Sequence, residues 1–61
     1  MRINLKAEDV RVGDTLIEDG EEYEVIAVGN YISHARMTGI LCKGGEFPVG
    51  YRREDVLTVE R

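Results

Sequence analysis

Residues 12–29, VGDTLIEDGEEYEVIAVG, decide the fold, because they contain two apolar segments separated by a tight-turn signal. The β-branched residues in both segments favour strands. Asp19-Gly20 between them favours a hairpin, since Gly accepts the positive φ that short hairpin turns require. Beyond Val25 both faces of the second strand are apolar. We therefore predict either a strand that becomes buried on both sides after Val25 or a β-bulge that shifts its register.

Short elements are also predicted before the hairpin. Residues 3–5 alternate apolar and polar side chains, which indicates a short edge strand. Residues 6–9 are too few for an independent helix and predict a single helical or 3₁₀ turn. Val10 and Val12 flank an arginine, so we expect both valines to face the same way.

A third long strand is predicted at residues 34–42, and a glycine-rich turn is predicted at residues 43–45. One face of that strand carries small and apolar residues and is expected to face the core: Ala35, Met37, Gly39 and Leu41.

Two further strands complete the predicted sheet. Residues 46–51 place Phe47, Val49 and Tyr51 on one face, and the first and last of these are expected in the core. Pro48 cannot donate to a ladder, so it marks an edge position or a bulge, and we expect that strand to have one free side. A polar turn then leads into a closing strand at residues 56–59.

This order of elements resembles an SH3-like barrel. The resemblance implies an all-β fold of about five antiparallel strands with short 3₁₀ turns, and we expect residues 1–61 to form one such domain. Residues 11–26 resemble the first hairpin of KOW-type translation-protein domains, such as the N-terminal domain of elongation factor P. The loop at residues 30–33 lacks the modified lysine of that family, so its activity is not implied. The chain also resembles short acidic barrel proteins of bacteria and phages, which implies an accessory or regulatory role.

Charge is unevenly distributed along the chain. The net charge is −4, but residues 1–30 carry −5 and residues 31–61 carry +1. An acidic chain repels phosphate, so nucleic acid is disfavoured unless the basic residues of the second half gather on one face. The sequence has no apolar run of ~20 residues and no signal-peptide pattern, which predicts no membrane association. A single cysteine suits a reducing compartment, and we expect a cytoplasmic location.

The sequence offers little catalytic chemistry. His34 and Cys42 are the one nucleophile–base pair, but on a straight strand they lie roughly 26 Å apart at ~3.3 Å per residue. One Cys and one His are too few ligands for zinc. The acidic residues at the tip of the hairpin lack the spacing of a calcium loop. We therefore expect a protein that is not an enzyme and has no metal and no cofactor.

Two binding functions stay open. The first is a non-catalytic protein-interaction or regulatory module, with weak self-association through its free edge strand as a further hypothesis. The alternative is a module that binds single-stranded nucleic acid, RNA in particular, through a basic and aromatic face. Both hypotheses use the same candidate residues: Tyr31, Ile32, His34, Arg36, Tyr51, Arg52 and Arg53.

Overall fold

The chain forms an antiparallel sheet of six strands in a computed structural model, which describes residues 1–30 and 35–61. One 3₁₀ turn, Ala7–Asp9, follows the first strand. The strands in chain order are β1 (Arg2–Lys6), β2 (Thr15–Glu18), β3 (Glu21–Asn30), β4 (Met37–Cys42), β5 (Val49–Arg52) and β6 (Val56–Glu60).

The spatial order of the strands is β1-β6-β2-β3-β4-β5, so the last strand lies between the first and the second. The predicted all-β class is therefore confirmed, as are the 3₁₀ turn and the edge positions of the first strand and of the strand after Pro48. The sheet has one strand more than expected, and it is not closed, since β1 and β5 do not pair. Among the described residues, no helix is long and apolar enough to cross a bilayer.

The hairpin of β2 and β3 forms through the predicted turn. Glu18 pairs with Glu21, so Asp19 and Gly20 are the two turn residues. Their φ angles are 52° and 77°, both in the left-handed region. Two consecutive positive φ angles are the signature of a type I′ turn, whose twist matches that of the flanking strands.

A β-bulge in β3 explains the mixed faces after Val25. Val25 pairs with Cys42 and Ala27 pairs with Leu41, so Ile26 is the extra residue. Val25 is fully buried, whereas Ile26 and the residues after it in β3 are exposed. Of the two predictions for this segment, the bulge is confirmed and burial on both sides is wrong.

The buried face of β4 is the reverse of the predicted one. Thr38 and Ile40 are buried, and Ile40 belongs to the core. Of the four residues predicted to face the core, Ala35 is exposed, Met37 and Leu41 are half-buried, and only Gly39 is buried. The Thr38 hydroxyl donates a hydrogen bond of 3.1 Å to the carbonyl of Gly29, which permits its burial. β4 also begins at Met37, later than predicted.

Two further apolar residues lie where the prediction did not place them. Val10 is buried, but Val12 is 61% exposed, because it lies in a turn with Gly13 and the segment is not a strand. Phe47 is 77% exposed, because β5 begins only at Val49 and Phe47 lies in the preceding loop. The core instead consists of these buried apolar residues: Val10, Leu16, Val25, Ile40 and Val59.

A buried carboxylate ties β6 to the segment before β2. Asp14 is 4% exposed, and its two oxygens accept hydrogen bonds of 2.9 Å from Nε and Nη2 of Arg61. The backbone N–H of Arg11 donates a third bond of 2.9 Å. The hydrogen bonds from Arg61 hold the pKa of Asp14 below its usual value, despite the opposing effect of burial. Asp14 is therefore a structural anion.

Candidate functional site

A groove of about 500 Å³ lies between the β2–β3 hairpin and β5. We call it the Tyr51 groove. Its floor contains Leu16 and Ile40 of the core, and its far wall is formed by the end of β4 and the loop at residues 43–48. A concave site of this size with an apolar floor is typical of binding pockets.

The rim of the groove is apolar and exposed. Phe47 is 77% exposed and Val49 is 55% exposed, and Tyr23 faces them from the hairpin. Scattered apolar residues on a surface are ordinary, but an exposed apolar group around a concavity indicates an interaction site.

The tyrosine and a carboxylate connect the two walls. The Tyr51 hydroxyl on β5 donates a hydrogen bond of 3.0 Å to Oε2 of Glu18 on β2. Burial, with a further contribution from the Glu18 carboxylate, raises the pKa of Tyr51 to about 12. The phenol is therefore a neutral donor at physiological pH, and Glu18 and Asp19 place negative charge at this end of the groove.

Cys42 lines the groove as a half-buried free thiol. Burial raises its pKa, and the negative charge of Glu18 adds to the shift. A thiol becomes a good nucleophile when its pKa is lowered, so this environment favours an unreactive, packed side chain.

Three of the residues predicted from sequence lie together at another place. Arg36 and Arg52 line a shallow hollow of about 300 Å³ beside Glu54. The backbone N–H of Arg53 donates a bond of 2.9 Å to the carbonyl of Arg36, and Nη2 of Arg53 donates a bond of 3.1 Å to Oδ1 of Asn30.

Tyr51 is separated from this basic group. Successive side chains of a strand point to opposite faces, so Tyr51 faces the groove while Arg52 faces the other side of β5. The predicted residues Tyr31, Ile32 and His34 lie outside the described residues.

The sequence prediction missed most of the groove. The alternation of residues 46–51 predicts Phe47 in the core, although Pro48 within that segment argues against a continuous strand. Tyr23 and Glu18 give no signal of their own in the sequence, because both are ordinary residues for a solvated hairpin.

The described residues contain no group of three or more His, Cys, Asp or Glu side chains that could hold a metal ion. Comparison with known proteins gave no match to a family model, to a curated protein or to a solved structure.

Proposed function

We propose that the protein is a non-catalytic protein-interaction or regulatory module that binds an extended segment of a partner in the Tyr51 groove. The observation that carries the proposal is the exposure of Phe47 and Val49 around a concave site with a core floor. Aromatic and aliphatic side chains in such a position release water from both partners on binding, which makes them anchors of an interface.

Charge defines the chemistry of the segment. Glu18 and Asp19 line the groove on the hairpin side, and Oε1 of Glu18, the oxygen that does not bond to Tyr51, is available to a ligand. Lys43 lines the opposite wall, so the negative charge is confined to the hairpin side. The chain also carries a net charge of −4. Complementary charge orients a ligand and raises its association rate. We therefore propose a segment with apolar or aromatic side chains and a neighbouring Lys or Arg.

Binding to an array of defined peptides tests this proposal. The peptides vary two positions, one from apolar to polar and one from Lys through Gln to Glu. We expect selection of an apolar residue next to Lys or Arg, and weaker binding as salt rises. Selection that ignores both positions contradicts the proposal.

Two matched variants locate the binding site. Val49→Thr keeps the shape of a groove residue but adds a hydroxyl, and Val56→Thr makes the same change at a residue of β6 that is 68% exposed and outside the groove. Peptide affinity should fall several-fold for Val49→Thr, in line with a loss of about 1 kcal/mol, and stay unchanged for Val56→Thr. Equal effects of the two variants contradict the assignment of the groove.

The proposal also includes a finer fold assignment. Strands β2 to β5 form a meander, and β6 then returns to pair with β2; this order supports the SH3-like arrangement. The KOW-type likeness of the first hairpin and an accessory role in a bacterium or phage are part of the same proposal. The free thiol of Cys42 supports a reducing, cytoplasmic location.

Single-stranded nucleic acid is the second candidate ligand. It is favoured by the convergence of Arg36, Arg52 and Arg53 on one end of the sheet, and it is opposed by the net charge. Fluorescence anisotropy with labelled single-stranded RNA at low salt distinguishes the two candidates. Binding that weakens with salt and is lost in the Arg36→Gln, Arg52→Gln double variant would support this candidate, and no binding would exclude it.

A further inference from the structure

The outer edge of β1 is open to another strand. Arg61 N–H donates to the Met1 carbonyl at 3.0 Å, and Ala7 N–H donates to the Asp55 carbonyl at 2.7 Å. Both pairs belong to the β1–β6 register, so the odd-numbered residues of β1 bond to β6. Because bonded and non-bonded pairs alternate in an antiparallel ladder, the backbone groups of Arg2 and Asn4 and the N–H of Lys6 point away from β6. No described residue bonds to these groups.

The edge at β5 is different. Arg53 N–H bonds to Arg36, so the outward-pointing backbone groups in β5 are those of Gly50 and Arg52. Oδ2 of Asp55 accepts from Arg52 N–H at 3.2 Å, and Asp55 N–H donates to the Arg52 carbonyl at 3.1 Å. Pro48, before the strand, has no N–H to offer. A strand added at β5 would therefore find few free backbone groups to bond to. Self-association through β5 stays a proposal, and it would depend on the outward backbone groups of Gly50.

The side chains of β1 define what the open edge accepts. Ile3 and Leu5 are half-buried and pack against the core, so a strand beside them would complete their burial. Arg2 and Lys6 are exposed on the opposite face, and neither forms an ion pair with a described residue. A second copy of β1 centred on Asn4 would place Arg2 opposite Lys6, and like charges in directly opposed positions are destabilising.

We propose that the β1 edge binds an extended segment of a partner protein by strand addition, and that the segment alternates acidic and apolar residues. The apolar residues lie beside Ile3 and Leu5, and the acidic residues flank them and face Arg2 and Lys6. Main-chain hydrogen bonds hold the segment, while the alternate side chains select its sequence. This site is distinct from the Tyr51 groove, because no residue of β1 lines the groove.

An NMR titration of the isotopically labelled chain tests the proposal. The probe is a short capped peptide with the core Glu-Val-Thr-Val-Glu, and the matched control is Lys-Val-Thr-Val-Lys. We expect the first peptide to shift the amides of Arg2, Asn4 and Lys6 and to slow their hydrogen exchange. The second should bind at least about tenfold more weakly, because two favourable charge pairs become unfavourable.

Two sets of variants make the test specific. Asn4→Pro removes one outward N–H, and an edge strand tolerates proline where that N–H faces solvent. Asn4→Ala keeps the N–H but loses the bond of 2.8 Å that Asn4 Oδ1 accepts from Thr58. Affinity should fall about tenfold for Asn4→Pro and change less than about twofold for Asn4→Ala. The Arg2→Glu, Lys6→Glu double variant should prefer the lysine peptide.

Each other outcome overturns the proposal. Absence of binding by the wild-type chain means that the charges of β1 only prevent aggregation. Shifts at Phe47 and Val49 instead of β1 place the peptide in the groove, and self-association abolished by Asn4→Pro makes a second copy the occupant. If Asn4→Pro does not fold, the Arg2→Glu, Lys6→Glu double variant still tests the proposal, because it should reverse the preference between the two peptides. Loss of groove binding in Val49→Thr with unchanged β1 shifts separates this proposal from the proposed function.

Discussion

Replacement of Asp14 by Asn should remove a large part of the stability of this protein. The carboxylate accepts three hydrogen bonds, two from Arg61 and one from the N–H of Arg11. Hydrogen bonds to a charged group contribute roughly 1.5–3 kcal/mol each, but the Arg61 side chain is 36% exposed, so solvent screening reduces its share. We expect a loss of about 2 kcal/mol. For a chain of 61 residues with a total stability of roughly 3–9 kcal/mol, that lowers Tm by roughly 10 °C.

Urea denaturation at neutral pH, followed by circular dichroism, measures the loss. Glu8→Gln is the control for loss of one negative charge, because the Glu8 side chain is exposed and forms no ion pair with a described residue. A loss below about 0.5 kcal/mol for Asp14→Asn, or one equal to that of Glu8→Gln, would refute the reasoning.

The pH dependence gives a second check on Asp14. The pKa of Asp14 is lower in the folded chain than its ordinary value of 3.8, so the ionised form favours folding. Its contribution is complete above the unfolded pKa and is lost as pH falls through the folded pKa. The difference in stability between wild type and Asp14→Asn should therefore be constant from neutral pH to about pH 5 and shrink below about pH 4. A difference that persists in strong acid would assign the loss to packing.

Three other changes test the fold and the groove. Glu18→Gln should lower the Tyr51 pKa from about 12, because the negatively charged hydrogen-bond acceptor is lost; the chemical shift of the tyrosine ring carbon measures this pKa. Since folding raises the Tyr51 pKa, the neutral phenol favours the folded state, and the stability that it contributes is present below about pH 10 and is lost as pH rises through about 12. Gly20→Ala should cost about 1 kcal/mol in urea denaturation because its φ is 77°, whereas Gly29→Ala, which has open space and no positive φ, should cost less. Ile40→Ala should cost roughly 2–4 kcal/mol and leave much of the chain unfolded, which thermal unfolding would show as a broad or absent transition.

Local chemistry explains which elements the sequence predicts. The Asp19-Gly20 turn and the 3₁₀ turn depend on the conformations of a few consecutive residues, so their signals are present in the sequence itself. The bulge at Ile26 also leaves a local trace, because the alternation of apolar residues changes phase there.

The buried face of β4 could not be predicted in the same way. Both faces of that strand carry apolar residues. Which face is buried depends on the register of β4 against β3, and that register shifts at the bulge. Burial of Thr38 is possible because its hydroxyl donates a hydrogen bond to the carbonyl of Gly29. This contact joins two strands, and the sequence of neither strand predicts it. The Asp14–Arg61 pair joins residues 47 positions apart, so it is equally invisible to local reasoning.

The two edges of the open sheet differ in how their outward backbone groups are satisfied. A closed sheet would pair β5 with β1, and each strand would satisfy the outward backbone groups of the other. Here Asp55 takes up the outward groups of Arg52, and the 3₁₀ turn after β1 donates the N–H of Glu8 to the carbonyl of Arg53 at 3.2 Å. The β5 side of the opening is therefore completed largely within the chain, and side chains such as Phe47 remain exposed beside it. The β1 side has no such internal partner among the described residues, so its hydrogen-bonding capacity is available to a strand from another protein.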